Sequence, residues 1–456
     1  MQRRNPHQAN SARTGTGLSR RDFLRASSLA ALGAPALAAC GGTPGGDSQA
    51  LRFWSITPFV DAVQELMPKT VAAVAQKMGI TVELEMIPNE QRAARYQTAV
   101  ESEQLPDVFM LEELQIPQMS GIGALSGTIT EVYDRVGAEH GGWLDSAAEM
   151  ASVGENVVSV PFVLQPYMLY YRQDLFEQAG FSVPISGDLD ELVRACRAVH
   201  DPAGGVAAFA APMSDADHGG HIDVVNWLFG GGWQGPDGKM RINTPENLAA
   251  LKWYTGLYTT EKVVPADATT YTPVSNNTAY LNGSTALICN TGSVMTSLRD
   301  EKPDILEKTV VGPWPKSPTG SGPAMSAGGA GLMIAETSNK KDMAAEFIAE
   351  LFKEQHLMPI LQAWGAEGFP TLQRYSEAPA VKGNPRLAQI TEGILPVAHS
   401  VFWPGEATPA YSAVFAEDAG NVGRVLTPVC LGQMSPEDAL AGLQEVAERA
   451  EERFSS

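Results

Sequence analysis

The chain has 456 residues, 44% apolar and 18% charged, and its 52 acidic residues outnumber 32 lysines and arginines for a net charge of −20. So acidic a surface repels phosphate backbones and excludes nucleic acid as a partner. With four cysteines and no Cys-x-x-Cys spacing, the chain encodes no zinc knuckle, and Cys196, Cys289 and Cys430 allow at most one disulfide.

The first strongly patterned stretch is Ser19-Arg20-Arg21-Asp22-Phe23-Leu24-Arg25, followed by an apolar run from Ala26 and by Leu37-Ala38-Ala39-Cys40. The run is too short to span a bilayer, and small residues before a cysteine form an acylation site. The pattern resembles a twin-arginine signal, headed by Arg20 and Arg21, that ends in a bacterial lipoprotein box. It predicts an export signal over 1–39, a lipid on Cys40 and a flexible tether over 40–50. Residues 1–39 hold six arginines and one aspartate, so the chain from Cys40 onward has 26 basic and 51 acidic residues, a net charge of −25. Its 417 residues exceed the roughly 250–300 at which one core stops growing, so two lobes with a binding cleft between them are expected. No later stretch approaches eighteen uninterrupted apolar residues, so attachment to the outer face of a membrane rests on that lipid.

Leu51–Ile56 reads as a strand, followed by a helix whose Val63, Val71, Val74 and Met78 share one face and which Pro68 is predicted to kink or break. Val82, Leu84 and Met86 alternate with Glu83 and Glu85 across a second strand, and Asp107–Leu111 makes a third. Val157–Val163 and Ala286–Cys289 are further strands, and helical spacing places Met343, Phe347 and Leu351 on one face. Strands alternating with helices indicate α/β layering. The last helix is the best specified. Ser435 caps it, Pro436 opens it, Glu437 and Asp438 favour its positive end, and Leu440, Leu443, Val446, Ala447, Ala450 and Phe454 form its apolar face.

Sugars offer apolar C–H faces between rings of hydroxyls, so a cleft for them needs flat aromatic platforms beside short polar side chains. Trp54, Trp233, Trp364 and Trp403 all stand next to turn or loop signals, as platforms or as core residues. The densest set of metal-ligating types is Asp215-Ala216-Asp217-His218-Gly219-Gly220-His221-Ile222-Asp223. As a calcium loop it has Gly219 where an oxygen ligand belongs and Asn226 in place of the final glutamate. No glutamate accompanies His218 and His221 as in a zinc protease, so no metal or other cofactor is expected. Nucleophile-elbow and phosphate-loop motifs are absent, and Gly121, Gly123 and Gly127 miss the dinucleotide spacing by one residue. Adjacent Glu112 and Glu113 would point to opposite faces of a strand and cannot flank one bond, though one of them can reach a ligand hydroxyl. A binding protein rather than an enzyme is expected.

Taken together, these segments resemble the extracellular solute-binding proteins of family 1, the sugar receptors of bacterial ABC importers. Leu105-Pro106-Asp107-Val108-Phe109 is similar to the family's Pro-Asp-Val strand, with Glu112 or Glu113 at its acidic ligand position. Val160-Pro161-Phe162 and Leu169-Tyr170-Tyr171-Arg172-Gln173-Asp174-Leu175-Phe176-Glu177-Gln178-Ala179-Gly180 resemble its strongest string, Arg172 and Gln173 departing from the usual Asn-Lys. Tyr280–Leu287 and Ala327-Gly328-Gly329-Ala330-Gly331-Leu332 match two further segments, the second with glycines that let a ligand approach backbone N–H groups.

The resemblance implies an α/β, two-lobed periplasmic-binding-protein fold of class II type, with hinge crossovers and an interlobe cleft. The expected division is 51–160 plus 326–370 for the first lobe and 161–325 plus 371–456 for the second. It also implies a ligand set: Gln165 and Tyr167 at the first crossover, Asn290 and Ser293 on the second lobe, Gly328 and Gly329 at the return, and Trp403 and Tyr411 capping the cleft, beside Trp54, Glu113 and Trp233. A monomer that hands its ligand to an ABC permease and ATPase is expected. Thr291-Gly292-Ser293 and Gly328–Gly331 look most like the branch that takes glycerol phosphate and glycerophosphodiesters. That branch has arginine where Ser400 precedes Val401-Phe402 here, whereas Ala407-Thr408-Pro409-Ala410-Tyr411 resembles oligosaccharide receptors. A neutral carbohydrate therefore leads, ahead of a glycerophosphodiester, and ahead of a surface-anchored carbohydrate-active enzyme as the reading from another class.

Overall fold

The computed structural model describes residues 49–58, 60–214, 221–272, 274–317, 321–365, 368–415 and 421–455. Arg20, Arg21 and Cys40 lie outside the described residues, as do 215–220 of the acidic, histidine-bearing cluster.

The strands are β1 (Leu51–Ile56), β2 (Val82–Ile87), β3 (Val108–Glu112), β4 (Ser152–Val153), β5 (Asn156–Val157), β6 (Val160–Pro166), β7 (Met168–Arg172), β8 (Ala207–Phe209), β9 (Thr285–Asn290), β10 (Thr309–Gly312), β11 (Met325–Ile334) and β12 (Ala398–His399). One sheet has the order β12-β11-β3-β1-β2, with β6 also pairing with β11, and a second has the order β10-β7-β9-β8. β1 runs parallel to β2 and β3, as right-handed strand–helix–strand units require, while β11 returns antiparallel to β3 and β6. These are two α/β lobes.

Strand periodicity assigns the first lobe's two cores. Leu51 and Phe53 of β1 face the helices Asp61–Met78, Lys341–Leu351 and Glu354–Trp364. Trp54 and Phe109 face the opposite side with Tyr96 of the helix Asn89–Glu101. The second lobe and the C-terminal helices share one core around Tyr170, Leu287, Trp233, Leu440 and Leu443.

Both expected lobe boundaries fall inside the first lobe. β6 is a single strand paired with β11 as far as Pro166, so the chain crosses between sheets at Tyr167 and not at residue 161. The return does not stop at residue 370, because Leu372 bridges Trp143 and Leu372 and Tyr375 join the first-lobe core. The helix Asp61–Met78 runs on through Pro68, which lies on its exposed face, so the expected break does not occur.

The last helix, Pro436–Ser455, starts where the sequence places it: Ser435 Oγ accepts from Asp438 N–H at 3.0 Å and donates to the Asp438 carboxylate at 2.7 Å. Removing that cap by Ser435→Ala should cost about 1 kcal/mol in urea unfolding, with the denaturant slope unchanged.

Candidate functional site

The C-terminal ends of β1 and β3 and the middles of β6 and β11 meet at a narrow pocket with a free volume of about 30 Å³, partly open to solvent, lined by Ile56, Thr57, Pro58, Met110, Glu112, Val163, Gln165, Ala330 and Trp364. Open α/β sheets bind ligands at the carboxyl ends of their strands, where helix starts and loops supply polar groups. Here an apolar floor carries four hydrogen-bonding side chains. Thr57 and Gln165 are half-buried. Glu112 accepts from Arg92 Nη2 at 2.6 Å, which neutralises its charge and fixes its carboxylate. Trp364 is buried, yet its indole N–H has no partner. A buried donor of this kind costs free energy unless something pairs with it.

Glu113, one residue along, goes the other way. It is 2% exposed, accepts from the Ser400 hydroxyl, lies close to the Val401 N–H, and has no partner for Oε2 among the described residues, near Gly328. Burial is the largest cause pushing its pKa up to about 8; the Ser400 hydrogen bond and the Val401 N–H oppose the rise and the Glu149 carboxylate adds to it. Asp223 is likewise pushed up to about 8 by burial, against the hydrogen bond it accepts from the Trp233 indole.

The remaining expected ligand residues divide. Tyr167 is half-buried at the crossover, its N–H bonded to Ser326 O at 2.9 Å, and Asn290 stands beside it because Asn290 pairs with Met168. Asn290 gives its amide to Asn276 and Asn277 and accepts from Thr291 N–H at 2.7 Å, while Ser293 Oγ lies 3.0 Å from Thr291 Oγ1. These form a polar ledge at the end of β9. Gly328 lies opposite Gln165 in the β11–β6 ladder.

Four of the expected ligand residues lie away from the pocket, in the core or in strand packing. Trp54 is core: its strand position turns it onto Tyr96 (centroids 5.5 Å), with the Arg95 guanidinium 4.9 Å from the ring. Trp233 is 2% exposed, stacked on Phe415 and tied to Asp223, so the glycines before it let the chain tuck the indole inward. Tyr411 is buried too, its hydroxyl donating to Val401 O at 2.8 Å. At Gly329 a Cβ would overlap the Val163 carbonyl oxygen and sit 3.1 Å from Met150 Sδ, so that glycine serves strand packing rather than ligand approach. Trp403 is half-buried, stacked on His399 at 4.6 Å and edge-on to Trp227 at 5.4 Å, apart from the residues lining the pocket.

Arg92 and Thr57 were missed by sequence reasoning. Arg92 lies in a helix with no motif, and only its register against β3 brings it to Glu112. Among the described residues no group of three or more histidine, cysteine or acidic side chains could hold a metal, Cys196, Cys289 and Cys430 are buried and form no disulfide, and no helix is long and apolar enough to cross a membrane.

Two α/β lobes joined by repeated crossings, with a pocket at the strand ends, define a hinged binding protein. The family profile described as "Bacterial extracellular solute-binding protein" matches residues 55–356, and the chain belongs to that family. It is 27% identical over 293 residues to a probable ABC transporter-binding protein of Deinococcus radiodurans, covering 62% of this chain and 67% of that one. It is 26% identical to a lactose-binding protein of Rhizobium radiobacter, covering 60% and 63%. The match thus spans about two thirds of each relative's length. Among solved structures, a maltose-bound MalE3 of T. maritima superposes with TM-score 0.71 at 23% identity, covering 88% of this chain and 99% of that one. A sugar transporter protein of Arthrobacter chlorophenolicus with bound laminaribiose gives 0.73 at 20%, covering 88% and 99%. At these identities the likeness is one of fold.

Glu113 and Asp223 predict how stability depends on pH. Their folded pKa values lie above the unfolded ones, so their contribution is fully present below about pH 4 and is lost as pH rises through about 8. Urea unfolding at pH 5, 7 and 9 should show stability falling across that window by an amount on the order of 2–5 kcal/mol per group. Glu113→Gln should flatten the slope.

Proposed function

We propose that this chain is the extracytoplasmic receptor of an ABC importer, anchored by a lipid on Cys40, and that it captures a neutral carbohydrate in the interlobe cleft for delivery to a membrane permease and its ATPase. One observation carries the ligand class. The pocket sets an apolar floor beside a charge-balanced carboxylate, an amide, a hydroxyl and an unpaired indole N–H, and its lining residues include no lysine or arginine. Such a surface suits C–H faces and hydroxyls. The internal residues outside the description, 59, 215–220, 273, 318–320, 366–367 and 416–420, contain no lysine or arginine either.

A glycerophosphodiester is the second reading, favoured by the Thr291-Gly292-Ser293 turn. A buried phosphate needs cationic or multiple N–H donors. Arg92 is already paired with Glu112, and Ser400, where that branch has arginine, is bonded to Glu113. The enzymatic reading requires two titratable groups free to act on one bond; Glu112 is ion-paired and Glu113 faces the 400–401 segment.

Titration calorimetry against a panel of mono- and disaccharides, polyols and glycerophosphocholine tests the ranking. Binding of one or more neutral carbohydrates with Kd near micromolar, about −8 kcal/mol, is expected, without release of products from a glycan. Tight binding of glycerophosphocholine alone would overturn it. Trp364→Phe, which keeps the ring and deletes the N–H, should weaken the bound sugar by about 1 kcal/mol, and Arg92→Met by about 1–3 kcal/mol through loss of the fixed carboxylate. Unfolding midpoints measured in parallel separate lost contacts from lost stability.

A further inference from the structure

After Tyr375 the chain passes to the second lobe, where Arg386 of the helix Pro385–Gly393 bonds the Leu306 carbonyl at 2.6 Å, and Ala398–Glu406 then forms a further connection between the lobes. On the first-lobe side, β12 pairs with the start of β11, Glu113 accepts from the Ser400 hydroxyl, and Glu149 Oε2 accepts the Ser400 N–H at 2.9 Å. On the second-lobe side, Gln234 Nε2 donates to the carbonyls of Phe402 and Glu406, both at 2.8 Å, and the Tyr411 hydroxyl donates to Val401 O at 2.8 Å. Trp403 rests edge-on against Trp227 at 5.4 Å. Ser400 and Phe402, held from opposite sides, are two residues apart, a reach of at most about 7 Å when fully extended. There is no slack between the anchors.

We infer that Glu113 is a positioning residue. It fixes this connection to the first lobe and so sets how readily the cleft opens, a role distinct from the ligand contact expected of it. Rotation of one lobe against the other must bend the 400–402 span or lift it from one set of anchors. The Glu113 bond to Ser400 is the buried one on the first-lobe side, since both residues are buried. Its strength therefore enters the opening equilibrium directly. Tertiary elements that move in binding proteins are hinge segments at element ends, and this one joins a two-residue strand to a turn.

The charge setting makes the anchor respond to pH. Facing Glu113 are Glu149 from the helix Asp145–Met150 and Tyr411 from the helix Pro409–Phe415. Asp223, from the helix Ile222–Leu228, acts on the same Tyr411, and His399 lies 3.9 Å from Glu149. No lysine or arginine contributes to the environment of Glu113. Ionising it there is relieved by lifting the 400–402 span and admitting water, so alkaline conditions favour the open form.

The test uses the full chain without added ligand, so it stands whatever the cleft binds. Hydrogen exchange at 398–406 and the radius of gyration from small-angle scattering are followed at pH 6, 7, 8 and 9. In Ser400→Ala and Glu113→Ala, exchange at Val401 and Phe402 should quicken about tenfold and the radius of gyration should rise, while β1 and β9 keep their protection. Wild type should loosen in the same way between pH 7 and 9. Glu113→Gln, which is neutral throughout and still accepts the Ser400 hydroxyl, should stay compact over the whole range. If Glu113→Ala does not fold, Ser400→Ala and Glu113→Gln decide. Unchanged exchange and scattering in Ser400→Ala, or a Glu113→Gln protein as pH-sensitive as wild type, would overturn the role.

Discussion

Strand β11 is the member on which the rest of this structure depends. Over ten residues it pairs with β12 at its start, with β6 along its middle and with β3 toward its end. It thereby joins the returning chain to the first lobe and passes directly beside the pocket. That density of neighbours explains its sequence, Met325-Ser326-Ala327-Gly328-Gly329-Ala330-Gly331. A side chain at 329 would strike the β6 backbone, and one at 331 would sit 2.9 Å from Ser159, so small residues are dictated by packing before any ligand is considered. Gly328 differs, since a Cβ there would meet only Glu113 Oε2 at 3.4 Å and Val401 at 3.9 Å. The glycines that read as a single ligand-binding motif thus have two separate physical causes.

Much of the fold was legible because periodicity and caps are local. The alternation in β2, the Pro-Asp-Val strand, the strand over 286–289 and the capped last helix all occupy their expected places. The lobe boundaries were less legible. Val160–Pro166 is apolar except for Gln165, and nothing in the run itself tells which sheet it joins; only its register against β11 does. The fates of the tryptophans were decided by the same non-local information. Trp54 and Phe53 are neighbours in sequence, but the helix Asn89–Glu101 covers one face of the sheet and other helices the opposite one, so both side chains are buried in different cores. Glycine-rich surroundings marked Trp233 as a loop residue correctly, yet a turn can fold an indole inward as readily as outward.

The acidic character of the chain sharpens the meaning of its buried carboxyls. With so many carboxylates at the surface, the field of the molecule opposes any further negative charge inside it. Glu113 and Asp223 have no cation among the groups that set their titration, and burial keeps both protonated near neutral pH. Glu112 has Arg92, and its side chain is 30% exposed. Where a negative charge persists near the pocket it is therefore balanced, and where it is unbalanced it is neutralised by a proton. A neutral ligand meets no net charge in either case, whereas an anion would meet the summed repulsion of the surface without a free cation to offset it.

The division between Glu112 and Glu113 follows from one bond rotation along the chain. β3 ends at Glu112, which faces the pocket, and Glu113 opens a 3-10 turn, Glu113–Gln115, that turns its carboxyl toward the 398–406 segment. A single short strand end thus couples the ligand's surface to a connection between the lobes. Any shift of β3 that lets Glu112 follow a bound hydroxyl must also displace the carboxyl holding Ser400. Rigid β-sheet backbone carries that displacement without needing a pathway of intervening side chains, because the two residues share one peptide bond. The coupling is built into the junction of a strand with a single helical turn, and its sign is set by which lobe position best satisfies both carboxyls at once.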